Sequence, residues 1–171
     1  MKKNIKLIIA IVLISIISFL GYSISKKISY KKEVTERIKT IPKFSFLSLN
    51  NVDFTQNNLA INNNKLFVYF NSECEYCQSE ATQISQNLEE FKETQLIFIS
   101  FEPLEGIKEF AKTYNLLDKE NVIFLHDSKL EFSEIFDAKS IPFLLLYSKD
   151  NKLIEKYKGA TKIENITKFL N

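Results

Sequence analysis

The 171-residue chain has two cysteines, Cys74 and Cys77, and only two residues separate them. Two thiols at this spacing can form a structural disulfide, supply half of a metal site, or exchange electrons with another disulfide. A bridge across two residues closes so short a loop that it would stabilise the fold very little. A structural zinc site needs four ligands, whereas the chain offers this pair and one distant histidine, His126. The sequence therefore favours a redox pair.

The residues around the pair predict that it lies between a strand and a helix. The run KLFVYF, residues 65–70, is continuously apolar and has the length of a buried strand. A thiol at a helix N-terminus faces unpaired backbone N–H groups and the positive end of the helix dipole, and both favour the thiolate that attacks disulfides. This position also brings Cys77 within reach of Cys74 in the first helical turn. After the pair, apolar residues recur at helical spacing, at Ala81, Ile84, Leu88 and Phe91.

Strand and helix patterns alternate along the rest of the domain. Apolar runs and period-2 alternation predict strands, whereas apolar residues at a spacing of three or four predict helices. The order predicts an α/β fold in which a mixed central sheet has helices on both faces and a final hairpin adds antiparallel strands. The remaining predicted strands are 44–49, 95–101, 121–126, 142–148 and 152–159, and the remaining helices are 104–116, 130–136 and one that begins at a capping box of Thr161 and Glu164.

The chain begins with a segment, residues 1–25, that predicts a membrane anchor or a signal peptide. Residues 7–24 carry no charge and lysines flank them, and this length exceeds the apolar core of most cleaved signals, which favours an anchor. A short basic N-terminus before an apolar run is the usual export signal, although lysines also follow the run. We therefore expect a single-pass protein of the cytoplasmic membrane, with a linker over 26–42 and a domain over 43–171 on the periplasmic or extracytoplasmic side. That compartment permits disulfides.

Composition excludes several functional classes. The three glycines are scattered, so neither a dinucleotide-binding loop nor a phosphate-cradling loop can form. Residues 1–32 contain seven lysines and no acid, which leaves 16 basic and 21 acidic residues, a net charge of −5, for residues 33–171. A mildly acidic domain is poorly suited to a polyanion, so we expect no binding to nucleic acid.

The segment VYFNSECEYCQSEA resembles the active site of thioredoxin-like proteins, and most closely that of the membrane-anchored TlpA/ResA-like redoxins. The resemblance depends on the Cys74–Cys77 motif, on Glu80 three residues later, and on the segment SIPFLLLYSKDNKLIEKYKG, in which Pro142 matches the family's cis-proline. The similarity covers roughly residues 43–171. It implies a thioredoxin-like fold and the activity of an exported thiol–disulfide oxidoreductase.

The resemblance also implies roles for individual residues. Cys74, at the helix entrance, would attack the disulfide of a substrate, and Cys77, one turn further in, would resolve the mixed disulfide. Pro142, preceded by Ile141, would lie against the pair and help to bind the backbone of the substrate. Glu80 is either a carboxylate that shuttles protons or tunes the thiols, or a solvated helix residue.

Three residues beside the cysteines depart from the family pattern or leave their role open. Glu73 stands where Trp usually precedes the first cysteine, and Glu75-Tyr76 replaces a dipeptide in which proline is common. Two acids beside Cys74 oppose formation of the thiolate. Tyr76 is either an aromatic residue that faces the substrate or an exposed side chain without a role.

The sequence thus predicts an enzyme, without a cofactor or a bound metal, that acts on disulfide-bearing exported proteins. A membrane or periplasmic thiol donor would return electrons to the pair, and the anchor and the family favour net reduction of the clients. Two alternatives remain. A peroxiredoxin-like peroxidase would have Thr three residues before its reactive cysteine and a nearby Arg, where this chain has Asn71 and the single Arg37. A thioredoxin-fold copper-delivery protein would use Cys74, Cys77 and His126 as ligands.

Overall fold

The computed structural model describes residues 2–170, with side chains from Val12 onward, so Met1 and Asn171 of the predicted anchor and domain lie outside the described residues. The chain separates into two units, Met1–Arg37 and Ile38–Asn171. The first is a single helix, α1, Lys2–Arg37, whose side chains are exposed from Val12 to Glu33. Its stretch from Val12 is long and apolar enough to span a membrane, a criterion that a signal sequence near the N-terminus also meets.

Seven strands of the second unit form one mixed sheet in the order β2-β1-β5-β4-β3-β6-β7. They are β1 Ser45–Ser48, β2 Asp53–Thr55, β3 Asn64–Tyr69, β4 Thr94–Ser100, β5 Val122–His126, β6 Phe143–Tyr147 and β7 Leu153–Lys158. The neighbours β3, β4 and β5 are parallel, and the other four pairings are antiparallel. Because β3 and β4 run in the same direction, their C-terminal ends meet at one end of the sheet, beside the N-terminal end of β6.

Helices cover both faces of this sheet, as predicted. Side chains alternate between the faces of a strand, and every residue of the central strand β3 is buried. The helices are α2 Glu75–Gln86, α3 Leu104–Thr113, α4 Glu131–Phe136 and α5 Ile163–Thr167, and two 3-10 turns cover Gln56–Asn58 and Leu88–Phe91. Leu66 and Val68 pack into one core with helices α2, α3 and α5, whereas Tyr69 stacks on Phe132 of α4, with ring centroids 4.6 Å apart.

Two local predictions are wrong. The helix after the cysteines does not continue to Phe91, because Asn87 leaves the helical conformation (φ −124°, ψ 31°) and a separate 3-10 turn follows. The predicted capping box does not form, because α5 begins after Lys162 and no side chain caps it. The backbone N–H of Thr161 instead donates a hydrogen bond to Glu80 of α2, at 2.9 Å. A contact between distant segments therefore determines the conformation at this position.

The first residues of the second unit are fixed to the hairpin of β6 and β7. The backbone N–H of Leu153 donates to the carbonyl oxygen of Lys39 at 2.9 Å, and that of Ile41 donates to the carbonyl oxygen of Asn151 at 3.2 Å. Residues 38–41, within the predicted linker 26–42, are thus hydrogen-bonded to the folded sheet.

Candidate active site

The cysteine pair lies at the N-terminus of α2, directly after the loop that follows β3. Cys74 is the N-cap residue of the helix, and its Sγ accepts a hydrogen bond from the backbone N–H of Cys77 at 3.3 Å. The N–H of Cys74 in turn donates to the carbonyl oxygen of Asn71 at 3.2 Å, which closes a tight turn before the helix. The predicted strand–cysteine pair–helix arrangement is confirmed, and the first sulfur faces the unpaired backbone donors of the helix start.

The two thiols, both free, differ in their access to solvent. Cys74 is half-buried, whereas Cys77 is only 2% exposed and belongs to the apolar core. Burial raises the pKa of the Cys77 thiol far above its ordinary value, and its hydrogen bond with Cys74 raises the pKa further. Cys77 is therefore a neutral thiol at physiological pH, and Cys74 is the sulfur that another molecule can reach.

The loop before β6 lies against Cys74. The peptide bond between Ile141 and Pro142 is cis, as the resemblance implied. The Sγ of Cys74 lies 4.0 Å from the carbonyl oxygen of Ile141, within the reach of a weak S–H···O hydrogen bond. Pro142 is buried, and Ile141 is partly exposed. The structure thus brings the predicted residues of this loop to the cysteine pair, while their role in binding a substrate stays a prediction.

Glu80 is fully buried, so it is not a solvated helix residue. It lies three residues after Cys77 on α2, a spacing that places both side chains on the same face of the helix. Its Oε2 accepts a hydrogen bond from the N–H of Thr161 at 2.9 Å, and its Oε1 accepts none from any residue between 2 and 170. Burial raises the pKa of Glu80 to about 7, although the hydrogen bond from Thr161 opposes the rise. The negative charge of Glu80 contributes in turn to the raised pKa of Cys77.

Three side chains beside the cysteines face solvent. Tyr76, in the first turn of α2, is 70% exposed. Glu73 and Glu75, on either side of Cys74, are exposed as well. Exposure of Tyr76 agrees with both interpretations of this residue, as a substrate contact or as a surface side chain.

A carboxylate that the sequence did not single out, Glu102, contacts the loop before the pair. Its Oε2 accepts from the backbone N–H of Ser72 at 2.7 Å, and its Oε1 accepts from the hydroxyl of Ser72 at 2.6 Å. The only signal that pointed to this contact was topological: Ser72 and Glu102 follow two strands that are parallel neighbours, and the loops after such strands leave the sheet at the same end.

The residues that the copper-binding alternative would use do not form a metal site among the described residues. His126 lies at the end of β5, paired in the sheet with Leu47 and Ser100, and among residues 2–170 no three His, Cys, Asp or Glu side chains are grouped so that they could hold a metal ion. Asn71, which replaces the threonine of a peroxidase, accepts a hydrogen bond at its Oδ1 from the N–H of Glu73 at 2.9 Å. That bond stabilises the turn before Cys74.

Comparisons with known proteins agree with this architecture. Among solved structures, a secreted Mycobacterium tuberculosis disulfide oxidoreductase homologous to E. coli DsbE is 17% identical, with a TM-score of 0.63 over 79% of this chain and 96% of that chain. StoA from Bacillus subtilis is 14% identical, with a TM-score of 0.60 over 78% of this chain and 99% of that chain. ScoI from Arabidopsis thaliana, solved with copper bound, is 14% identical, with a TM-score of 0.61 over 74% of this chain and 92% of that chain.

These likenesses show a shared thioredoxin-like fold. A comparison with curated proteins finds no match. Residues 39–168, nearly all of the second unit, match the model of the AhpC/TSA family. The chain therefore belongs to the AhpC/TSA family and carries its thioredoxin-like redoxin domain.

Proposed function

We propose that this protein is a thiol–disulfide oxidoreductase that reduces disulfides in exported client proteins through Cys74 and Cys77. The observation that carries the proposal is the asymmetry of the pair. One sulfur is accessible and hydrogen-bonded to a backbone N–H at a helix start, and the other is a buried neutral thiol in the first turn of the same helix. An attacking thiol must be reachable and ionisable, whereas a resolving thiol must stay protected until the first reaction has occurred.

In the first step, the thiolate of Cys74 attacks one sulfur of the client disulfide. The new bond joins Cys74 to the client, and the other client sulfur leaves as a thiolate that takes up a proton from solvent. Before the reaction, the backbone N–H of Cys77 donates a hydrogen bond to the attacking sulfur.

In the second step, Cys77 loses its proton and attacks Cys74 within the mixed disulfide. The remaining client sulfur leaves as a thiolate that takes up a proton from solvent, so the client has gained two electrons and two protons, and Cys74 and Cys77 have formed a disulfide. Because the pKa of Cys77 is strongly raised, this step needs a proton acceptor. Glu80 fills that role in our proposal: it is buried on the same face of α2, its pKa is about 7, and its Oε1 is free to accept a proton.

The client would bind across the loop before β6. In our proposal the backbone around the client cysteine lies against Ile141 and Pro142, because the carbonyl oxygen of Ile141 lies 4.0 Å from the Sγ of Cys74. In the same proposal the exposed ring of Tyr76, in the first turn of α2, supplies an apolar contact to the client. No cofactor takes part in these steps.

The anchor determines where the reaction takes place. We infer that α1 holds the protein in the cytoplasmic membrane with its redoxin domain on the periplasmic or extracytoplasmic side. The length and apolar composition of this helix support the inference. A thiol donor in or near the membrane would then reduce the Cys74–Cys77 disulfide after each turnover. Protease treatment of intact spheroplasts tests the orientation, because a domain outside is digested and a domain inside is protected.

Trapping of the mixed disulfide tests the mechanism. Cys77→Ser retains the attacking thiol and loses the resolving one, so it should accumulate disulfide-linked clients that run as high-mass species on non-reducing gels. Cys74→Ser should trap few clients, because the remaining thiol is buried. The wild-type protein should reduce insulin with dithiothreitol as donor. A reversed trapping pattern would contradict the roles of the two thiols, and failure of both trapping and insulin reduction would contradict the proposed function.

A further inference from the structure

The turn that carries Cys74 is held from outside by one carboxylate. Glu102 lies two residues after the end of β4, and its two oxygens accept from the N–H and the hydroxyl of Ser72, at 2.7 and 2.6 Å. A carboxylate that accepts from both polar hydrogens of one residue fixes that residue in position and in orientation. Ser72 is only two residues from the reactive cysteine, so the contact lies at the base of the active-site turn.

Glu102, which makes this contact with Ser72, is in turn hydrogen-bonded to the sheet. The hydroxyl of Ser100, a fully buried residue of β4, donates to Oε2 of Glu102 at 3.0 Å and accepts from the N–H of Glu102 at 3.3 Å. On the other side of the turn, the side-chain amide of Gln78 donates to the carbonyl oxygen of Ser72 at 2.8 Å. All three polar groups of Ser72 are therefore hydrogen-bonded to residues outside the turn: two to Glu102, which follows β4, and one to Gln78 of α2.

We propose that Glu102 is a positioning residue for Cys74. It fixes the turn so that the sulfur stays at the N–H of Cys77 and beside the carbonyl of Ile141. A helix start stabilises a thiolate only when the sulfur lies at its N–H groups, because the effect fades within the first turn. The role in catalysis rests on the proposed function, whereas the effect on the reactivity of Cys74 does not.

Charge alone makes the opposite prediction. A carboxylate near a thiol disfavours the thiolate, so a purely electrostatic Glu102 would slow the reactions of Cys74, and its neutralisation would accelerate them. Positioning requires the reach of the side chain, and the electrostatic effect requires its charge. Two substitutions separate these properties. Glu102→Gln removes the charge and retains the reach, with an oxygen for the N–H of Ser72 and an amide N–H for its hydroxyl. Glu102→Asp retains the charge and shortens the side chain by one methylene.

The measurement is the rate constant for alkylation of Cys74 by iodoacetamide in the reduced full-length protein in detergent, with the modified residue identified by mass spectrometry. We expect Glu102→Asp to react roughly tenfold more slowly than the wild type, because a displaced reactive atom loses its aligned partners. Glu102→Gln should react within about twofold of the wild type if its hydrogen bonds replace those of the carboxylate. Glu105→Asp and Glu105→Gln are matched controls at an exposed position in the first turn of α3, and neither should change the rate.

Thermal unfolding of each variant separates positioning from a purely structural role. If Glu102 only stabilises the loop, Glu102→Asp lowers the midpoint and leaves the alkylation rate of the folded protein unchanged, which would overturn the proposal. Faster alkylation in Glu102→Gln with no change in Glu102→Asp would overturn it in favour of charge. Insulin reduction by the wild type reports on the proposed function alone, so an inactive wild type with the expected alkylation pattern would reject that function and leave the positioning role supported.

Discussion

Two buried carboxylates in the same domain, those of Asp127 and Glu80, differ in the hydrogen bonds that they accept. Asp127, after β5, is 1% exposed, and its oxygens accept from the first two N–H groups of α4, those of Glu131 at 2.8 Å and Phe132 at 2.9 Å. Glu80 is equally buried, yet only one of its oxygens accepts a hydrogen bond. Burial raises the pKa of both groups, and for Asp127 two backbone donors oppose the rise, whereas for Glu80 one does.

The difference indicates which carboxylate the fold uses for stability. Asp127 satisfies backbone donors at a helix start that would otherwise lack partners, and so stabilises α4 directly. The free oxygen of Glu80 satisfies nothing and costs free energy, because a buried polar atom without a partner loses its hydration. Packing alone does not explain a buried acid three residues after Cys77 on the same helix. The role of proton acceptor that we propose for Glu80 would account for both its position and its unpaired oxygen.

The largest effect should appear in the resolving step. In the reaction with Ellman's reagent, Cys74 releases one equivalent of thionitrobenzoate when it forms a mixed disulfide, and attack by Cys77 releases a second. Glu80→Gln should slow the second phase roughly 1000-fold, the middle of the range for general base catalysis, and leave the first within a few fold. The second phase of the wild type should also slow as the pH falls below about 7, where Glu80 becomes protonated.

Asp127→Ala is the matched control for this measurement. It removes a carboxylate of similar burial that accepts no proton from a thiol in our mechanism. Both phases should keep their wild-type rates in the folded variant. Equal slowing of the second phase by Glu80→Gln and Asp127→Ala would show that loss of any buried acid disturbs the site, and would remove the functional distinction between the two.

The second effect concerns stability and pH. In the folded reduced protein Glu80 keeps its proton up to pH about 7, whereas in the unfolded chain it loses that proton near its ordinary pKa of 4.5. The folded state therefore holds one more proton between these values, and its stability is fully present below pH 4.5 and decreases as the pH rises to about 7. The loss amounts to about 3 kcal/mol at most.

Glu80→Gln should remove this slope. Urea unfolding of wild type and variant, followed by circular dichroism at a series of pH values, gives the difference directly, and other titrating groups cancel in it. The variant should gain stability relative to the wild type as the pH rises, and the gain should level off above pH about 7. A constant difference across the series would mean that Glu80 ionises in the folded protein as it does in the unfolded chain, and it would then be no more perturbed than a surface carboxylate.

The sequence predicted the frame of this site better than its interior. The apolar run before Cys74 and the helical spacing after it indicated the strand and the helix, because both patterns are local. The resemblance added the cis bond at Pro142. The sequence did not decide whether Glu80 is buried, since helical spacing gives the face on which a residue lies but not the segment that covers it. That segment contains Thr161, which follows Glu80 by 81 residues.

Two further features, the contact of Glu102 and the helix break at Asn87, were not predicted, for different reasons. Glu102 bonds to Ser72 across 30 residues, and such a pairing follows only from the order of strands in the sheet. The helix break at Asn87 is local instead, because its backbone N–H donates to the carbonyl oxygen of Ile84 and its side-chain amide donates to that of Gln83. Leu88 and Phe91 still pack in the core beyond the break, so the apolar pattern continues through it. Periodicity reports which side chains are buried, and it does not register a change from one helical form to another.

The smallest effect should come from the carboxylate that supports the fold. Asp127→Ala leaves the first two N–H groups of α4 without their acceptor, and loss of hydrogen bonds to a charged group costs about 2 kcal/mol. The loss should appear in urea unfolding at pH 7, where Glu80→Gln should instead stabilise the protein, so the two substitutions should move stability in opposite directions. Asp127→Asn retains one acceptor oxygen and should lose about half as much. If Asp127→Ala proves neutral, water satisfies those N–H groups, and the contrast between a structural and a functional carboxylate would rest on the kinetics of Glu80 alone.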